Sequence, residues 1–250
     1  MNLENFFEEH PKVAIAFSGG VDSAYLLYAA LKYAKDVKAY YMKTAFQPEF
    51  ELEDAKKLAD MLHANMEILQ KNILEDAVVA SNPGNRCYYC KKQIFSGILE
   101  QASKDGYTEI LDGTNASDDA SDRPGMKALE EMKVYSPLRI CGLTKSEIRQ
   151  RSKEAGLFTW DKPAYACLAT RIPTGCQITE ELLNKTEKSE KFLSGLGFSD
   201  FRVRYLDGTA KIQIREEQLE LLIANRIKIL NELKADYKAV CLDLEVRNEQ

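Results

Sequence analysis

Short apolar runs alternate with amphipathic stretches along the first half of the chain. A short apolar run bounded by turn residues predicts a buried strand, and apolar positions at helical spacing predict a helix. Four strands are predicted in this way: Lys12–Phe17, Val37–Met42, Asn65–Gln70 and Thr108–Gly113. Because helical segments separate these strands, the pattern predicts parallel βαβ units in a doubly wound, mostly parallel α/β sheet.

The second half of the chain predicts a smaller α/β domain. Two alternating runs, Phe201–Leu206 and Ala210–Arg215, flank an Asp-Gly pair that is typical of a tight β-hairpin. Helical patterns and a further strand surround them. A loop interrupted by proline and glycine, WDKPAYACLATRIPTG, precedes this region. We therefore predict a first domain over residues 1–170 and a small second domain over residues 171–250.

The stretch FSGGVDS joins the first predicted strand to the helix that follows it. The backbone N–H groups of Ser18, Gly19 and Gly20 can converge on one anion, and the helix N-terminus adds its dipole. The spacing is neither that of a Walker A loop nor that of the G-x-G-x-x-G fingerprint. A plain tight turn with a serine N-cap is the alternative interpretation. The stretch resembles the PP-loop, SGGxDS, of the ATP pyrophosphatases.

Five residues of the chain match the PP-loop: Ser18, Gly19, Gly20, Asp22 and Ser23. The resemblance implies that the chain binds ATP, splits it between the α and β phosphates and leaves AMP on a substrate. Mg²⁺ neutralises the departing pyrophosphate in such chemistry. Asp22 is the acidic residue placed to assist this metal ion.

A second stretch, DGTNASDDASDRPG, begins at the end of the fourth predicted strand. Ligands of open α/β sheets bind beyond the carboxyl ends of the strands. We therefore expect Gly113, Thr114 and Asn115 to face the nucleotide, and Arg123 to contact a phosphate or the adenylated carboxylate. Thr44, just past the second strand, is a further candidate for the adenine side. A solvated acidic loop is the alternative interpretation.

Composition narrows the classes of protein to which this chain can belong. Its 250 residues carry a net charge of −5, with 45% hydrophobic and 29% charged residues, which is ordinary for a globular protein. The acidic balance argues against a nucleic-acid partner, because such proteins usually carry a basic face. The sequence has no apolar run long enough for a membrane span and no apolar signal-peptide core. We expect a cytoplasmic protein with reduced cysteines.

Cys87 and Cys90 form a C-x-x-C pair just before a predicted helix. A zinc clip needs two more nitrogen or sulfur ligands, and the sequence has no second pair or nearby histidine. A redox dithiol and two unrelated thiols are alternatives. Cys167 is a third candidate ligand, because three thiolates on a [4Fe–4S] cluster leave one iron open to a sulfide. Cys241 lies in an apolar strand run and is interpreted as a core residue, whereas Cys141 and Cys176 lie near loops and are interpreted as bystanders.

The whole chain resembles the LarE family in five stretches: FSGGVDS, NRCYYCK, DGTNASD, LTKSEIR and WDKPAYACLATRIPTG. The family makes the sulfur-bearing part of the nickel-pincer nucleotide, the cofactor of lactate racemase. The resemblance implies that ATP adenylates a carboxylate of a pyridinium-3,5-dicarboxylate mononucleotide and that sulfur then displaces AMP. It also implies a C-terminal module that helps to assemble homohexamers.

Two sulfur sources occur in the LarE family. In one, a cysteine at the position of Cys167 gives up its own sulfur and becomes dehydroalanine. In the other, that cysteine joins a C-x-x-C pair to hold a [4Fe–4S] cluster, which delivers sulfide taken from a separate sulfide donor. Because this chain has the pair, we expect the cluster, with Cys87, Cys90 and Cys167 as ligands.

Arg202 and Arg204 alternate along a predicted strand and therefore share one of its faces. Their guanidinium groups could fork onto the phosphate of the mononucleotide. The family uses a basic pair at this place, and Glu190 is a further candidate for the same site. A solvated strand face is the alternative interpretation.

Three other functions share parts of this pattern. A PP-loop tRNA thiolase also combines the turn with three cysteines, but it would need a basic surface for tRNA. A PP-loop amidotransferase or synthetase needs no cysteine trio. A sulfur or metal carrier would perform no ATP chemistry.

Overall fold

The computed structural model describes residues 1–118 and 124–247, and the chain divides into two compact units. The first unit comprises residues 1–73 and 85–162, and the second comprises residues 74–84 and 163–250. The described residues form ten α-helices: α1 Leu3–Glu9, α2 Val21–Tyr33, α3 Glu49–Met61, α4 Ala77–Ala80, α5 Arg86–Lys104, α6 Pro124–Glu131, α7 Pro137–Ile140, α8 Lys145–Glu154, α9 Glu180–Gly195 and α10 Leu219–Leu233. They also form seven strands: β1 Lys12–Ala16, β2 Asp36–Lys43, β3 Met66–Gln70, β4 Ile110–Leu111, β5 Arg202–Leu206, β6 Thr209–Gln213 and β7 Ala239–Leu242.

The first unit is built on a parallel sheet with the strand order β3-β2-β1-β4. Side chains alternate between the two faces of this sheet, as the strand period requires. Val13 and Ile15 are buried on one face, in a core that includes α2. Ala14 and Tyr40 are buried on the other face against α5. Helices therefore cover both faces, which confirms the predicted doubly wound α/β fold.

The second unit contains a small mixed sheet with the strand order β5-β6-β7. β5 and β6 form an antiparallel hairpin whose turn residues, Asp207 and Gly208, both have positive φ. This conformation suits a tight hairpin turn and explains the Asp-Gly pair in the sequence. Leu193 of α9 and Leu233 of α10 are buried with Val203 of β5 in the core of this unit.

The first unit ends at Lys162, whereas the sequence predicts the boundary between the two domains near residue 170. The loop that carries Cys167 therefore lies in the second unit. Polar contacts, rather than apolar packing, hold this loop in the second unit. Arginines of the second unit that are buried or half-buried donate hydrogen bonds to the backbone carbonyls of this loop, and a sequence pattern gives no signal for such contacts.

The helix α5 begins earlier than the sequence predicts. It starts at Arg86, so that Cys87 and Cys90 lie on its first turns rather than before it. The stretch from Arg86 to Lys92 contains neither glycine nor proline, so it has no residue that would delay the helix. α5 is also the longest helix in the part of the chain that the structure describes, and no helix there is long and apolar enough to cross a bilayer.

Candidate active site

The turn between β1 and α2 is closed by its own serines. The hydroxyl oxygens of Ser18 and Ser23 lie 3.0 Å apart, and the Ser23 hydroxyl donates to the carbonyl of Gly20 at 3.2 Å. The backbone N–H of Ser18 donates to the Ser23 hydroxyl at 3.3 Å. Gly19 has a φ of +74°, and a Cβ there would lie 3.1 Å from Ala55 Cβ. Glycine is therefore required at Gly19, and the turn is preformed at the N-terminus of α2.

Asp22 stands on the first turn of α2, with its side chain 23% exposed. Its Oδ2 accepts a hydrogen bond from Lys145 Nζ at 2.6 Å, while its Oδ1 is buried and has no hydrogen-bond partner among the residues that the structure describes. Burial raises the pKa of Asp22 above its ordinary value, and the charge of Lys145 opposes this rise. A carboxylate oxygen left unpaired in this way is a suitable ligand for Mg²⁺. The residues present therefore fit a magnesium ion at the turn.

The loop after β4 is also held in place by hydrogen bonds. Asp112 accepts from the hydroxyls of Thr114 at 2.5 Å and Ser136 at 2.6 Å. Asn115, which is buried, accepts from the backbone N–H of Ser117 at 2.8 Å. These contacts fix the predicted loop residues beside the turn. Arg123, the fourth residue predicted there, lies outside the described residues.

Gly113 is packed directly against the start of α2. A Cβ at this position would lie 2.9 Å from the backbone nitrogen of Ser23. Because backbone cannot move aside as a flexible side chain can, we expect Gly113→Ala to lower the free energy of unfolding by about 1–3 kcal/mol. We also expect weaker ATP binding, since the turn must shift. Denaturant unfolding and calorimetric titration with ATP check these outcomes.

Gly195 provides the control for this prediction. It lies in α9, and a Cβ there would meet no described atom within 4 Å apart from its chain neighbours and the backbone of its own helix. Gly195→Ala should therefore leave ATP binding unchanged and raise the free energy of unfolding by up to about 1 kcal/mol. Equal ATP affinities of Gly113→Ala and the unchanged protein would contradict the close approach of the two loops.

The turn, the loop after β4 and α5 enclose a cleft of about 500 Å³ in the first unit. This volume is in the range of small-molecule and cofactor sites. Its wall includes polar residues from all three elements: Ser18, Asp22, Ser23, Cys87, Lys91, Asp112, Thr114 and Asp118. Gly20, Gly113 and Gln47, which follows β2, also line the cleft. Thr44 contributes through Gln47, because the Thr44 hydroxyl donates to Gln47 Oε1 at 2.7 Å. The structure thus brings the predicted PP-loop residues together with one of the cysteines.

Three side chains of this site were not predicted from the sequence. Lys145 pairs with Asp22, although 123 positions separate the two residues in the chain. Gln47 and Lys91 line the cleft. For Lys145 a signal was present, because Thr144 and Glu147 form a capping box that places Lys145 at the first position of α8.

The cysteine pair lies on the first turns of α5, where residues three apart share one face. Cys87 is exposed and lines the cleft, and Cys90 is half-buried. Cys167 is half-buried in the second unit. All six cysteines belong to the described residues, and none of them forms a disulfide. Within the described ranges, no group of three or more His, Cys, Asp or Glu side chains could hold a metal ion as arranged.

Cys241 differs from its sequence interpretation. It was predicted to be a core residue, and the structure places it in an exposed position on β7. The prediction of a buried Cys241 is therefore wrong. The reason is that β7 is an edge strand of the small sheet, so its apolar run does not require burial of every residue.

Arg202 and Arg204 point from β5 toward the loop that carries Cys167, within the second unit. Arg202 is buried and donates to the carbonyl of Ala164 at 2.7 Å, and Arg204 donates to the carbonyl of Thr170 at 2.7 Å. Burial, and then the neighbouring charge of Arg171, lowers the pKa of Arg202 to about 10. The same causes lower the pKa of Arg204. Burial is the larger cause of both shifts, and neighbouring arginines add to it.

Glu190 is buried between Arg171 and β5. Its Oε1 accepts from Arg171 Nε at 2.8 Å and from the backbone N–H of Val203 at 2.9 Å. Its Oε2 accepts from Tyr165 at 2.6 Å and from Arg171 Nη2 at 3.1 Å. A carboxylate has about four acceptor positions, and all of them are used here. Glu190 therefore belongs to the same polar region as Arg202 and Arg204, but it faces Arg171.

Comparison with known proteins gives consistent results. The family model described as tRNA methyl transferase HUP domain matches residues 11–117. An uncharacterised protein of Synechocystis is 37% identical over 225 residues, which cover 89% of this chain and 83% of that protein. The pyridinium-3,5-bisthiocarboxylic acid mononucleotide synthase of Lactiplantibacillus plantarum is 30% identical over 236 residues, 93% of this chain and 86% of that protein. A tRNA-specific 2-thiouridylase of Thermotoga petrophila is 28% identical over 188 residues, 58% of this chain and 52% of that enzyme.

These matches agree with the geometry of the cleft. The matched HUP domain contains the turn, the cysteine pair and the four parallel strands, and PP-loop enzymes of this kind use ATP and Mg²⁺. The match to the Lactiplantibacillus synthase extends over both units of the chain. This protein therefore belongs to the LarE family of ATP-dependent sulfurtransferases with a PP-loop domain.

Proposed function

We propose that this enzyme adenylates a carboxylate of a pyridinium-3,5-dicarboxylate mononucleotide and replaces the AMP by sulfur, in nickel-pincer nucleotide biosynthesis. One observation carries the proposal. The PP-loop residues, the loop after β4 and Cys87 line the same cleft, which has about the volume of a cofactor site. The activity for which the Lactiplantibacillus relative is named supplies the class of substrate.

Adenylation makes the carboxylate of the substrate reactive toward sulfur. A carboxylate is a poor electrophile, and transfer of AMP to one of its oxygens makes that oxygen a leaving group. The turn at Ser18 to Gly20 would bind the departing pyrophosphate, with the dipole of α2 behind it. The N–H groups of Ser18 and Gly20 would then exchange their present serine hydroxyl acceptors for phosphate oxygens. A magnesium ion held by Asp22 Oδ1 would neutralise the charge that develops on the phosphates.

Sulfur then attacks the adenylated carbon, and AMP leaves with the electron pair of the broken C–O bond. We propose that a [4Fe–4S] cluster with Cys87, Cys90 and Cys167 as ligands supplies this sulfur, since three thiolates leave one iron open to sulfide. The placement of Cys87 in the wall of the cleft supports a sulfur source close to the nucleotide. Donation of sulfur by Cys167 itself is the competing hypothesis.

We further propose that Arg202 and Arg204 bind the phosphate of the mononucleotide. Four guanidinium groups lie with three carboxylates in this region of the second unit: Arg171, Arg202, Arg204 and Arg247, with Glu190, Asp200 and Asp243. Lys211 also pairs with Asp243 at 2.7 Å, so positive charge is in excess. A phosphate monoester dianion would complement this excess through charge-assisted hydrogen bonds. Glu190 would take part in this site by holding Arg171.

The phosphate proposal predicts a binding defect for Arg204→Gln. Hydrogen bonds to charged groups contribute about 1.5–3 kcal/mol, so the KM for the mononucleotide should rise about 10- to 100-fold. The kcat for pyrophosphate release should change little, because the ATP cleft belongs to the first unit. Arg226→Gln, an exposed position on α10, is the matched control. An unchanged KM for Arg204→Gln would contradict the proposal.

The proposed function is tested by anaerobic incubation with Mg²⁺, ATP, sulfide and the pyridinium-3,5-dicarboxylate mononucleotide. We expect pyrophosphate release that depends on the mononucleotide, and a product whose mass reflects exchange of oxygen for sulfur. Iron and sulfide analysis of the purified protein tests the cluster separately. Pyrophosphate release that requires tRNA instead would favour a tRNA thiolase. An absence of pyrophosphate with either substrate would contradict adenylation.

A further inference from the structure

Arg171 is a fully buried arginine in the loop that carries Cys167. One edge of its guanidinium group pairs with Glu190. The other edge turns back to the loop. Nη1 donates to the carbonyl of Ala166 at 2.7 Å and to the hydroxyl of Thr170 at 2.9 Å, and it lies 3.3 Å from the carbonyl of Cys167. The guanidinium group therefore contacts the backbone of Ala166 and Cys167 and the side-chain hydroxyl of Thr170.

Glu190, the partner of Arg171, cannot move without losing hydrogen bonds. All acceptor positions of Glu190 are occupied, two by Arg171 and the others by Tyr165 and Val203. The ring of Tyr165 also lies against the guanidinium group, 4.5 Å from ring centroid to Cζ. Lysine could not reproduce these contacts, because it lacks the planar fork of arginine. The pair thus forms a rigid support between α9 and the loop.

A purely stabilising ion pair is the alternative, and the direction of the contacts argues against it. Buried ion pairs stabilise little relative to well-packed apolar residues, because desolvation offsets their attraction. Apolar side chains could fill this space, but they could not bind three groups of one short loop. We propose that Arg171 is a positioning residue that fixes Cys167 for sulfur transfer, with Glu190 as its support. This inference rests on the proposed function, in which Cys167 participates.

The proposal is tested with Arg171→Lys and Glu190→Gln, at saturating ATP and mononucleotide. A displacement of about 1 Å at a reacting group can slow a reaction about 100-fold, so thiocarboxylate formation should fall by about this factor. Pyrophosphate release should stay within about threefold, since it reports binding and adenylation rather than sulfur transfer. Glu181→Gln is the matched control on α9, because Glu181 is exposed and pairs only with Lys185 among the contacts described. It should leave both rates unchanged.

A second measurement follows the loop directly. The backbone N–H of Thr170 donates to the carbonyl of Cys167 at 2.9 Å. In Arg171→Lys this amide should exchange with deuterium about tenfold faster than in the unchanged protein, whereas Glu181→Gln should not differ. If Arg171→Lys does not fold, Tyr165→Phe takes its place, because it removes one hydrogen bond to Glu190 and should shift both readouts in the same direction.

Two results would overturn the positioning role. One is an equal loss of pyrophosphate release and of thiocarboxylate formation, which would indicate general destabilisation. The other is unchanged sulfur transfer together with unchanged exchange at Thr170. Failure of the proposed function can be distinguished from failure of the positioning role, because the unchanged protein would then release no pyrophosphate with the mononucleotide. The exchange measurement would still decide whether Arg171 holds the loop.

Discussion

Replacing Asp22 by asparagine is expected to slow pyrophosphate release about a thousandfold at saturating ATP, the size of effect seen when one stabilising group of a transition state is removed. The substitution keeps the shape of the side chain and removes its charge. Asp22 Oδ1 is buried and has no partner within residues 1–118 and 124–247, so it is the oxygen that would hold Mg²⁺. Without a negative charge there, a metal ion would bind weakly and the phosphates would lose their counter-charge. Pyrophosphate release at several Mg²⁺ concentrations measures the effect.

Stability separates this catalytic effect from a structural one. Burial raises the pKa of Asp22, which means that the ionised form is disfavoured in the folded protein. Its neutral replacement should therefore not lower the free energy of unfolding at neutral pH, and Lys145 is exposed enough to remain solvated. Asp60→Asn, on the exposed face of α3, is the matched control and should behave as the unchanged protein. A release rate within about fivefold of the unchanged protein would show that Asp22 does not assist the metal.

The fold of the first unit could be predicted because its signals are local. Each parallel strand is a short apolar run, and buried strands need such runs. The extent of β4 was less predictable. The run Thr108–Gly113 predicts a strand, but only Ile110 and Leu111 pair with β1. The extent of pairing depends on which backbone groups of the neighbouring strand lie within hydrogen-bond distance. The sequence of one strand does not contain that information.

The candidate site was predictable to the extent that its chemistry lies in contiguous motifs. The turn at Ser18 to Ser23 was identified in this way, and the cleft contains it. Lys145 was missed because its partner, Asp22, is distant in the sequence. Arg171 was not predicted, since its buried pairing with Glu190 depends on how α9 packs.

The alternation of Arg202 and Arg204 was sufficient to place them on one face of a strand. It could not show that both guanidinium groups bind carbonyls of the Cys167 loop. The acceptors in these contacts are backbone carbonyls, which every residue has. A pattern of residue types therefore cannot predict such contacts. They also explain why the loop belongs to the second unit rather than to the first.

Replacing Cys167 by alanine is expected to reduce thiocarboxylate formation about a thousandfold or more, since the sulfur source or one of its ligands is lost. Pyrophosphate release should persist, because the turn, Asp22 and Lys145 are untouched in the first unit. The adenylated substrate would then be hydrolysed slowly or accumulate. Product mass and pyrophosphate are measured in the same reaction. Cys176→Ala, a half-buried cysteine in the same unit, is the control that should retain both activities.

The pair on α5 decides between the two sulfur sources, because they assign different roles to Cys87 and Cys90. If the three cysteines hold a cluster, Cys87→Ala combined with Cys90→Ala should lose iron and sulfide on analysis and should lose sulfur transfer as fully as Cys167→Ala. If Cys167 donates its own sulfur, the paired substitution should retain one turnover, and Cys167 should afterwards lack the mass of H₂S. Exposure of Cys87 in the cleft agrees with either role. The intact mass of the unchanged protein after turnover therefore distinguishes them: an unaltered mass with bound iron requires the cluster.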